Sequence, residues 1–338
     1  MGDVNLIGID VAKNVFQICE LDASMKVVRN HRVRRGELQS VMARHGATVV
    51  AMEACYSSHH WARTFRAMGH DVRLIPAQHV KAFVRGNKND ANDALAIAEA
   101  ALRPNLRPVP IKSLEQQDLQ ALHRIRDRLI RQRIQLTNQT RGLLSDYGIA
   151  MSRGFAAFRT ATAQLVDSEV LTPIMREQVR AVREEFETLS ERLRQIDLQI
   201  REMANTNPLC QLLLTVPGIG PVNATALVAA IGDGSQFAHP RDLAVWLGLT
   251  PRQHASGERS IHGGITKRGD RYLRRQLVHG ARAMISRAHR HDDPLRRWIR
   301  QLVDRVGMNK AAVATAARLA RLSWILLQRR EPYRLTPA

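Results

Sequence analysis

The sequence predicts an α/β domain at its N-terminal end, a long helical linker behind it, and a mainly α C-terminal domain. Short apolar runs alternate with amphipathic segments through residues 4–85, the pattern of strands and helices that share one sheet. Two long segments, 114–144 and 172–203, keep a helical period. Residues 209–330 break into helical stretches separated by glycine and proline turns. These observations divide the chain into 1–110, 111–205 and 206–330.

Taken in order, 4–10, 15–21 and 26–33 read as three strands joined by tight turns, and 38–45 as a short helix. ATVVAME (47–53) is a buried strand, 58–68 a helix, and 71–75 a strand stopped by Pro76. Three adjacent strands followed by helix, strand, helix, strand imply a mixed sheet with helices on its faces. NDALAIAEAAL (92–102) is strongly helical, and a proline-containing link, 103–110, follows it. The two long helices make either an antiparallel hairpin, serving as an arm or oligomer contact, or two members of one bundle. The pattern between them, 147–170, is weaker. The tail after Glu331 is expected to be loose.

Charge narrows the class. Lys and Arg number 51 against 31 Asp and Glu, for a net charge of +20. That excess favours a polyanionic partner, nucleic acid first and an anionic membrane surface second. No long basic amphipathic helix with a bulky apolar face supports the membrane. Aromatic residues make up 4%, few for stacking single-stranded bases. Cys19, Cys55 and Cys210 form no CxxC pair, which argues against a disulfide framework or a zinc knuckle. The N-terminus does not read as a signal peptide, and the richest apolar stretch, 209–231, is interrupted by Pro217, Gly218, Gly220 and Pro221. A cytoplasmic protein without a membrane partner is expected.

In MGDVNLIGIDVAKNVFQICELD, Asp10 ends an apolar run. A buried carboxylate is costly to hold ionised unless something positive compensates it. Glu53 ends ATVVAME; if the two strands are neighbours, both carboxylates emerge at one end of the sheet. Asp90 and Asp93, three residues apart at a helix start, share a helix face, where negative charge gains about 0.3–1 kcal/mol. Singly, each acid also reads as a cap or turn residue. As a set in so basic a chain they read as ligands for hard divalent cations, Mg²⁺ or Mn²⁺. Two such ions about 3.5–4 Å apart stabilise the attacking and leaving oxygens of a phosphodiester displacement.

IGIDVAKNVFQICELD, then AMEA, then GNKNDANDALAIAEA together resemble the N-terminal DEDD domain of the IS one-ten family of insertion-sequence transposases. The helical stretch QQDLQALHRIRDRLIRQRIQLTNQTRGLLSDYGI is similar to that family's linker, particularly in the IS eleven-eleven subgroup. The resemblance implies a RuvC-like, ribonuclease-H-like fold for the first domain, with Asp10, Glu53, Asp90 and Asp93 as its catalytic metal ligands. It covers nearly the whole chain.

Within the first long helix, Arg124, Arg128 and Arg131 fall on one face at four- and three-residue steps. They read as a backbone-binding stripe or as a solvated face; the net charge favours the stripe. Farther on, LLLTVPGIGPVNATALVAAIGD has the form helix, PGIG turn, helix. It resembles a helix-hairpin-helix, in which Gly218 and Gly220 let backbone N–H groups approach a phosphate while Ile219 packs inward. A plain helix–helix turn is the alternative.

The segment WLGLTPRQHASGERSIHGGITKRGDRYLRRQL carries many basic residues. Ser256 precedes Gly257 in what reads as a flexible loop. By composition a serine there is a phosphate contact or a solvated turn. The family resemblance implies more: its pattern GLTP…SG…G…K.G…LR makes Ser256 a nucleophile acting with the DEDD site. Ser260, between Arg259 and a glycine turn, is the local rival. Lys267, Arg271 and Arg274 are candidate phosphate contacts. His59, His60, His254, His262, His289 and His291 lack the spacing of a metal site, though His254 or His262 is a candidate general base.

The sequence therefore points to a DNA transposase or recombinase. On the family resemblance it would use a DEDD divalent-metal site and a serine nucleophile on double-stranded DNA and be directed by a guide RNA; a homodimer or tetramer is expected. Two rivals remain: a junction-resolving nuclease working through the acids alone, and a non-enzymatic helix-hairpin-helix DNA-binding protein.

Overall fold

The computed structural model describes residues 4–85, 89–256 and 259–334. They form two compact units, Met1–Ser113 and Leu114–Ala338.

The first unit is built on a five-stranded sheet in the order β3-β2-β1-β4-β5. The strands are β1 (Val4–Asp10), β2 (Val15–Asp22), β3 (Val27–Arg34), β4 (Val49–Glu53) and β5 (Asp71–Ile75). β2 runs antiparallel to both β1 and β3, whereas β4 runs parallel to both β1 and β5. The sheet is the mixed one expected. Among the described residues four helices accompany it: α1 (Leu38–Met42), α2 (Ser58–Ala67), α3 (Ala77–Val80) and α4 (Asp90–Ala101). β1 and β4 are central and buried through their middles, which is why they read as continuous apolar runs. β3, at the edge, is charged and largely exposed, a composition that discourages pairing with another chain.

Alternation along the strands sends the apolar side chains to two cores. On one face Ile7, Ile9, Phe16 and Met52 pack with Trp61 and Phe65 of α2. On the other, Leu6, Cys19 and Ala51 pack with Ala94, Ile97 and Ala98 of α4. Gly8 decides how closely α4 sits. A Cβ there would lie 2.3 Å from Ala94 O and 2.8 Å from Ala98 Cβ. Gly8→Val is accordingly expected to cost about 3 kcal/mol or more by overpacking, read as a lower urea midpoint for the first unit.

The second unit is mostly helical. α5 (Leu114–Ser145), α6 (Phe155–Leu165) and α7 (Pro173–Thr206) come first. Arg126 meets Asp197 and Arg133 meets Ser190, so α5 and α7 are antiparallel; Leu129, Leu136, Phe186, Leu193 and Ile200 fill the seam. α6 is a helix that the weak 147–170 pattern did not announce. It is held by Phe158 packing on Phe186, with ring centroids 5.0 Å apart. Then follow α8 (Pro208–Leu214), α9 (Pro221–Ile231), α10 (Pro240–Trp246), a hairpin of β6 (Pro251–Ser256) and β7 (Arg259–Ile265), α11 (Arg271–Ser286), α12 (Pro294–Val306) and α13 (Met308–Arg329). α9 is buried almost all round, the mark of a central helix. α5, α7, α8 and α11 pack on it, α10 and α12 pack on α13, and Leu213, Leu243, Leu277, Ile299 and Leu319 share one core.

The hairpin corrects one expectation. Ser256 does not stand in a loop; it is the last residue of β6, paired with Arg259. Gly257 and Glu258 lie outside the described residues.

Candidate catalytic and nucleic-acid site

Two carboxylates are set by strand pairing. Ile9 is in register with Met52 across the parallel β1–β4 pair, so Asp10 and Glu53, one residue on, end neighbouring strands side by side. By alternation both belong to the sheet face that carries α4. Cys55 senses both acids: burial pushes its thiol up to about 11, and Glu53 and then Asp10 add to the rise.

The other two acids stand in the first turn of α4. Asn89, not Asp90, caps that helix, accepting from Asn92 N–H at 2.8 Å. The turn lies at the Asp10 end of the sheet. Asp10, Gln17 and Arg32 form one row across β1, β2 and β3, and Arg32 reaches Asp90 at 3.4 Å. That pair is exposed on both sides, so it is worth no more than about 1 kcal/mol. Among the described residues no three His, Cys, Asp or Glu groups lie close enough together to hold a metal ion. The chemistry of the candidate donors is that of a hard-cation site: Asp10 and Glu53 end neighbouring strands on the sheet face that carries α4, and Asp90 and Asp93 stand in that helix's first turn. His59 is not a ligand candidate. Its Nδ1 accepts from Lys112 N–H at 3.2 Å, and burial lowers its pKa to about 4.

The root of the Ser256 hairpin is tightly made. A Cβ on Gly248 would lie 2.3 Å from Arg268 O, and one on Gly269 would lie 1.9 Å from Trp246 O; both residues have positive φ. Lys267 also takes the left-handed conformation, at φ +57°. Arg274, expected to face phosphate, donates through Nη1 to the carbonyls of Leu247 and Arg268, both at 2.8 Å, and so braces this root. Sequence reasoning passed over Arg252 and Arg268 as site residues. With His254 and Thr266 they line a pocket of about 390 Å³ at the hairpin base, where the Thr266 hydroxyl is buried without a hydrogen-bond partner. Ser260 pairs with Ala255 one step further down the ladder.

On α5, Arg124, Arg128 and Arg131 are all exposed. Arg128 bonds Gln132 at 3.0 Å and Arg131 pairs with Asp127 at 3.2 Å. Arg124 and Arg131 join Arg271, from α11, in lining a cleft of about 360 Å³; Arg128 is not part of it. The structure thus gathers three of the sequence-selected arginines and leaves Arg128 beside them. The floor of this cleft holds a residue the sequence reading missed. His123 places Nδ1 2.9 Å from the Tyr272 hydroxyl and Nε2 2.9 Å from the Thr225 hydroxyl. Thr225 gives its own proton to Pro221 O, so Nε2–H must donate to it and Nδ1 must accept from Tyr272. That chain needs a neutral imidazole, and burial accordingly lowers the His123 pKa to about 4.

The sign follows. The unfolded chain takes up this proton below about pH 6.5, and the folded chain only near 4. Stability is therefore complete above pH 6.5 and falls as pH drops toward 4, by roughly 3 kcal/mol at about 1.4 kcal/mol per pH unit. Denaturation of the unit that carries His123, compared at pH 7 and pH 5, is expected to show about 2 kcal/mol of this fall, and His123→Gln to flatten it.

At the PGIG turn, Ile219 is buried and Gly218 has φ +86°. A Cβ on Gly218 would lie 2.5 Å from Met284 of α11. Gly218 is thus required by packing inside this chain. Gly220 precedes α9 in extended backbone, exposed, with open space where a Cβ would be.

Residues 7–149 match a DEDD-type IS110 transposase family, and residues 210–296 match the Transposase IS116/IS110/IS902 family. The chain is similar to the transposase for insertion sequence element IS1111A of Coxiella burnetii, 42% identical over 99% of this chain and 92% of that protein. It is similar to a probable family 20 transposase of Pseudomonas aeruginosa, 44% identical over 98% of this chain and 99% of the relative. The transposase for insertion sequence element IS1328 of Yersinia enterocolitica is 36% identical over 96% of this chain and 97% of its own length. Motifs at both ends and similarity along the whole length agree: the chain belongs to the IS110/IS116/IS902 family of insertion-sequence transposases, enzymes that transpose DNA.

Proposed function

We propose that this transposase cuts and rejoins DNA strands with a DEDD divalent-metal site and a serine nucleophile. The observation that carries the reading is the β1–β4 register, which puts Asp10 and Glu53 side by side at the sheet end where α4 begins with Asp90 and Asp93. Those four residues would hold the metal, Mg²⁺ or Mn²⁺. When bound, it would supply charge stabilisation to a reacting phosphodiester. An exposed Arg32–Asp90 pair is weak enough to yield to such an ion. The strand order β3-β2-β1-β4-β5 supports a RuvC-like architecture, and the α8–PGIG–α9 geometry supports a helix-hairpin-helix whose Gly220 side is open to a backbone.

In this reading the Ser256 hydroxyl attacks phosphorus. A serine–phosphate bond forms, one strand P–O bond breaks, and the serine proton passes to the departing strand oxygen. Rejoining reverses the exchange, so bond energy is conserved and no nucleotide triphosphate is needed. Arg252, Arg268, Lys267 and Arg271 supply positive charge near the strand. Acids and serine must serve one phosphodiester, within one chain or between copies in a dimer or tetramer. The net charge and exposed arginines are also compatible with the guide RNA that the family resemblance implies.

The test is trapping. Protein, DNA carrying the element ends, the guide RNA and Mg²⁺ are incubated and denatured, and the adduct is digested and mapped. An adduct on Ser256 that requires the divalent ion is the expected result. Mapping to Ser260, or metal-dependent cleavage with no adduct at all, overturns the serine assignment.

A further inference from the structure

A second arginine cleft, sharing no lining residue with the one at Arg124, Arg131 and Arg271, opens along the α5–α7 pair. Its volume is about 520 Å³, and its polar lining comprises Arg126, Arg133, Arg194 and Arg201 with Ser190 and Asp197.

Charge pairing inside it is incomplete. Arg126 is matched by Asp197, at 2.6 Å. Arg194 is matched bidentately by Glu191, at 2.7 and 2.8 Å. Among the described residues, neither Arg133 nor Arg201 has an ion pair. Arg133 is the more telling. It is half-buried, its Nε is enclosed without a hydrogen-bond partner, and its Nη1 only reaches the Ser190 hydroxyl at 3.4 Å. Burial lowers its pKa accordingly. Besides the Ser190 bond and the attraction of Asp197, already engaged by Arg126, it rests on the face of Phe155, 4.0 Å away. A partly desolvated guanidinium without an ion pair of its own gains from an anion that enters.

The spacing of the charges selects the anion. Arg133 sits level with Ser190, and Arg201 is eleven residues further along α7, or about 16 Å at 1.5 Å per residue. Without both side chains stretching toward it, one phosphate ion cannot span the distance between those attachment points. A strand bearing a charge every ~3.4 Å of its axis can.

We propose that this cleft binds the sugar–phosphate backbone of a nucleic-acid strand through Arg133 and Arg201, as a contact separate from the cleft at Arg124, Arg131 and Arg271. The contact positions and does not read sequence. It depends neither on Ser256 nor on the four acids.

The experiment measures salt dependence of binding in the full-length protein by fluorescence anisotropy. The probes are a 20-base-pair DNA duplex and a 20-nucleotide single-stranded RNA; the arm that responds identifies which nucleic acid supplies the backbone. The slope of log K against log[salt] is expected to become shallower by about 1 for Arg201→Gln and about 2 for Arg133→Gln/Arg201→Gln. Arg201 is exposed, so its variant folds even if loss of the Arg133–Phe155 contact loosens α6. Arg192→Gln removes the same charge from an exposed position on α7 outside the cleft and should leave both slopes unchanged. If Arg201→Gln and the double variant behave like Arg192→Gln with both probes, the assignment fails. It also fails if ATP or inorganic phosphate binds the wild type and not Arg201→Gln while the slopes stay the same.

Discussion

Ser256→Ala is expected to retain DNA binding and lose strand exchange by about 10⁴-fold or more, the scale on which enzymes lose rate when a nucleophile is removed. The hydroxyl is the atom that would form the covalent bond. Binding should survive because the positive charges lie elsewhere, on Arg252 and Arg268 at the hairpin root and on Arg124, Arg131 and Arg271 along their cleft. Gel-shift affinity within about twofold of wild type, together with loss of recombined product, supports the reading. Retained metal-dependent cutting in this variant would instead assign the reaction to the acids alone, as in a junction-resolving nuclease. Ser260→Ala serves as the comparison, and it should keep activity.

Asp10→Asn should be nearly as damaging to activity, for an electrostatic reason. The carboxylate ends β1 beside Glu53, and replacing it removes a negative charge without changing shape. Divalent-ion affinity should fall by at least about tenfold, and activity by about 10³-fold or more if the ion stabilises the reacting phosphate. Calorimetric titration of Mn²⁺ into wild type and variant reads the first, and recombination assays the second. Folding should change little, since asparagine keeps the shape of the side chain and one acceptor oxygen. If the variant binds Mn²⁺ like wild type and differs only in melting temperature, Asp10 is a turn residue and the metal reading is wrong.

The elements best read from sequence are those with strong local signals. β1 and β4 show as short apolar runs because both faces are covered. α7 announces itself through Thr172, whose hydroxyl caps the helix, and Pro173 in its first turn. α6 was illegible because FAAFRTATAQL has small residues and a weak period; tertiary contact with Phe186 supplies what the local pattern lacks. β6 and β7 were illegible because they pair only with each other and carry no alternation of apolar and polar residues. The candidate acids could be picked out by residue type, but their grouping depends on strand register and on the placement of α4, neither of which is encoded locally. His123 did leave a signal: it falls four residues after the buried Leu119 on α5, on the face turned to the core.

The close seating of α4 on Gly8 has an evolutionary corollary. One steric contact both stabilises the N-terminal fold and sets the separation between the strand-borne and helix-borne acids. Adaptive change therefore has little freedom to retune that separation gradually, because any side chain larger than hydrogen at position 8 would move the helix and its acids together. Divergence should accumulate instead at the sheet's charged margin and along the outward surface of the helical arm, where substitutions leave the acids in place.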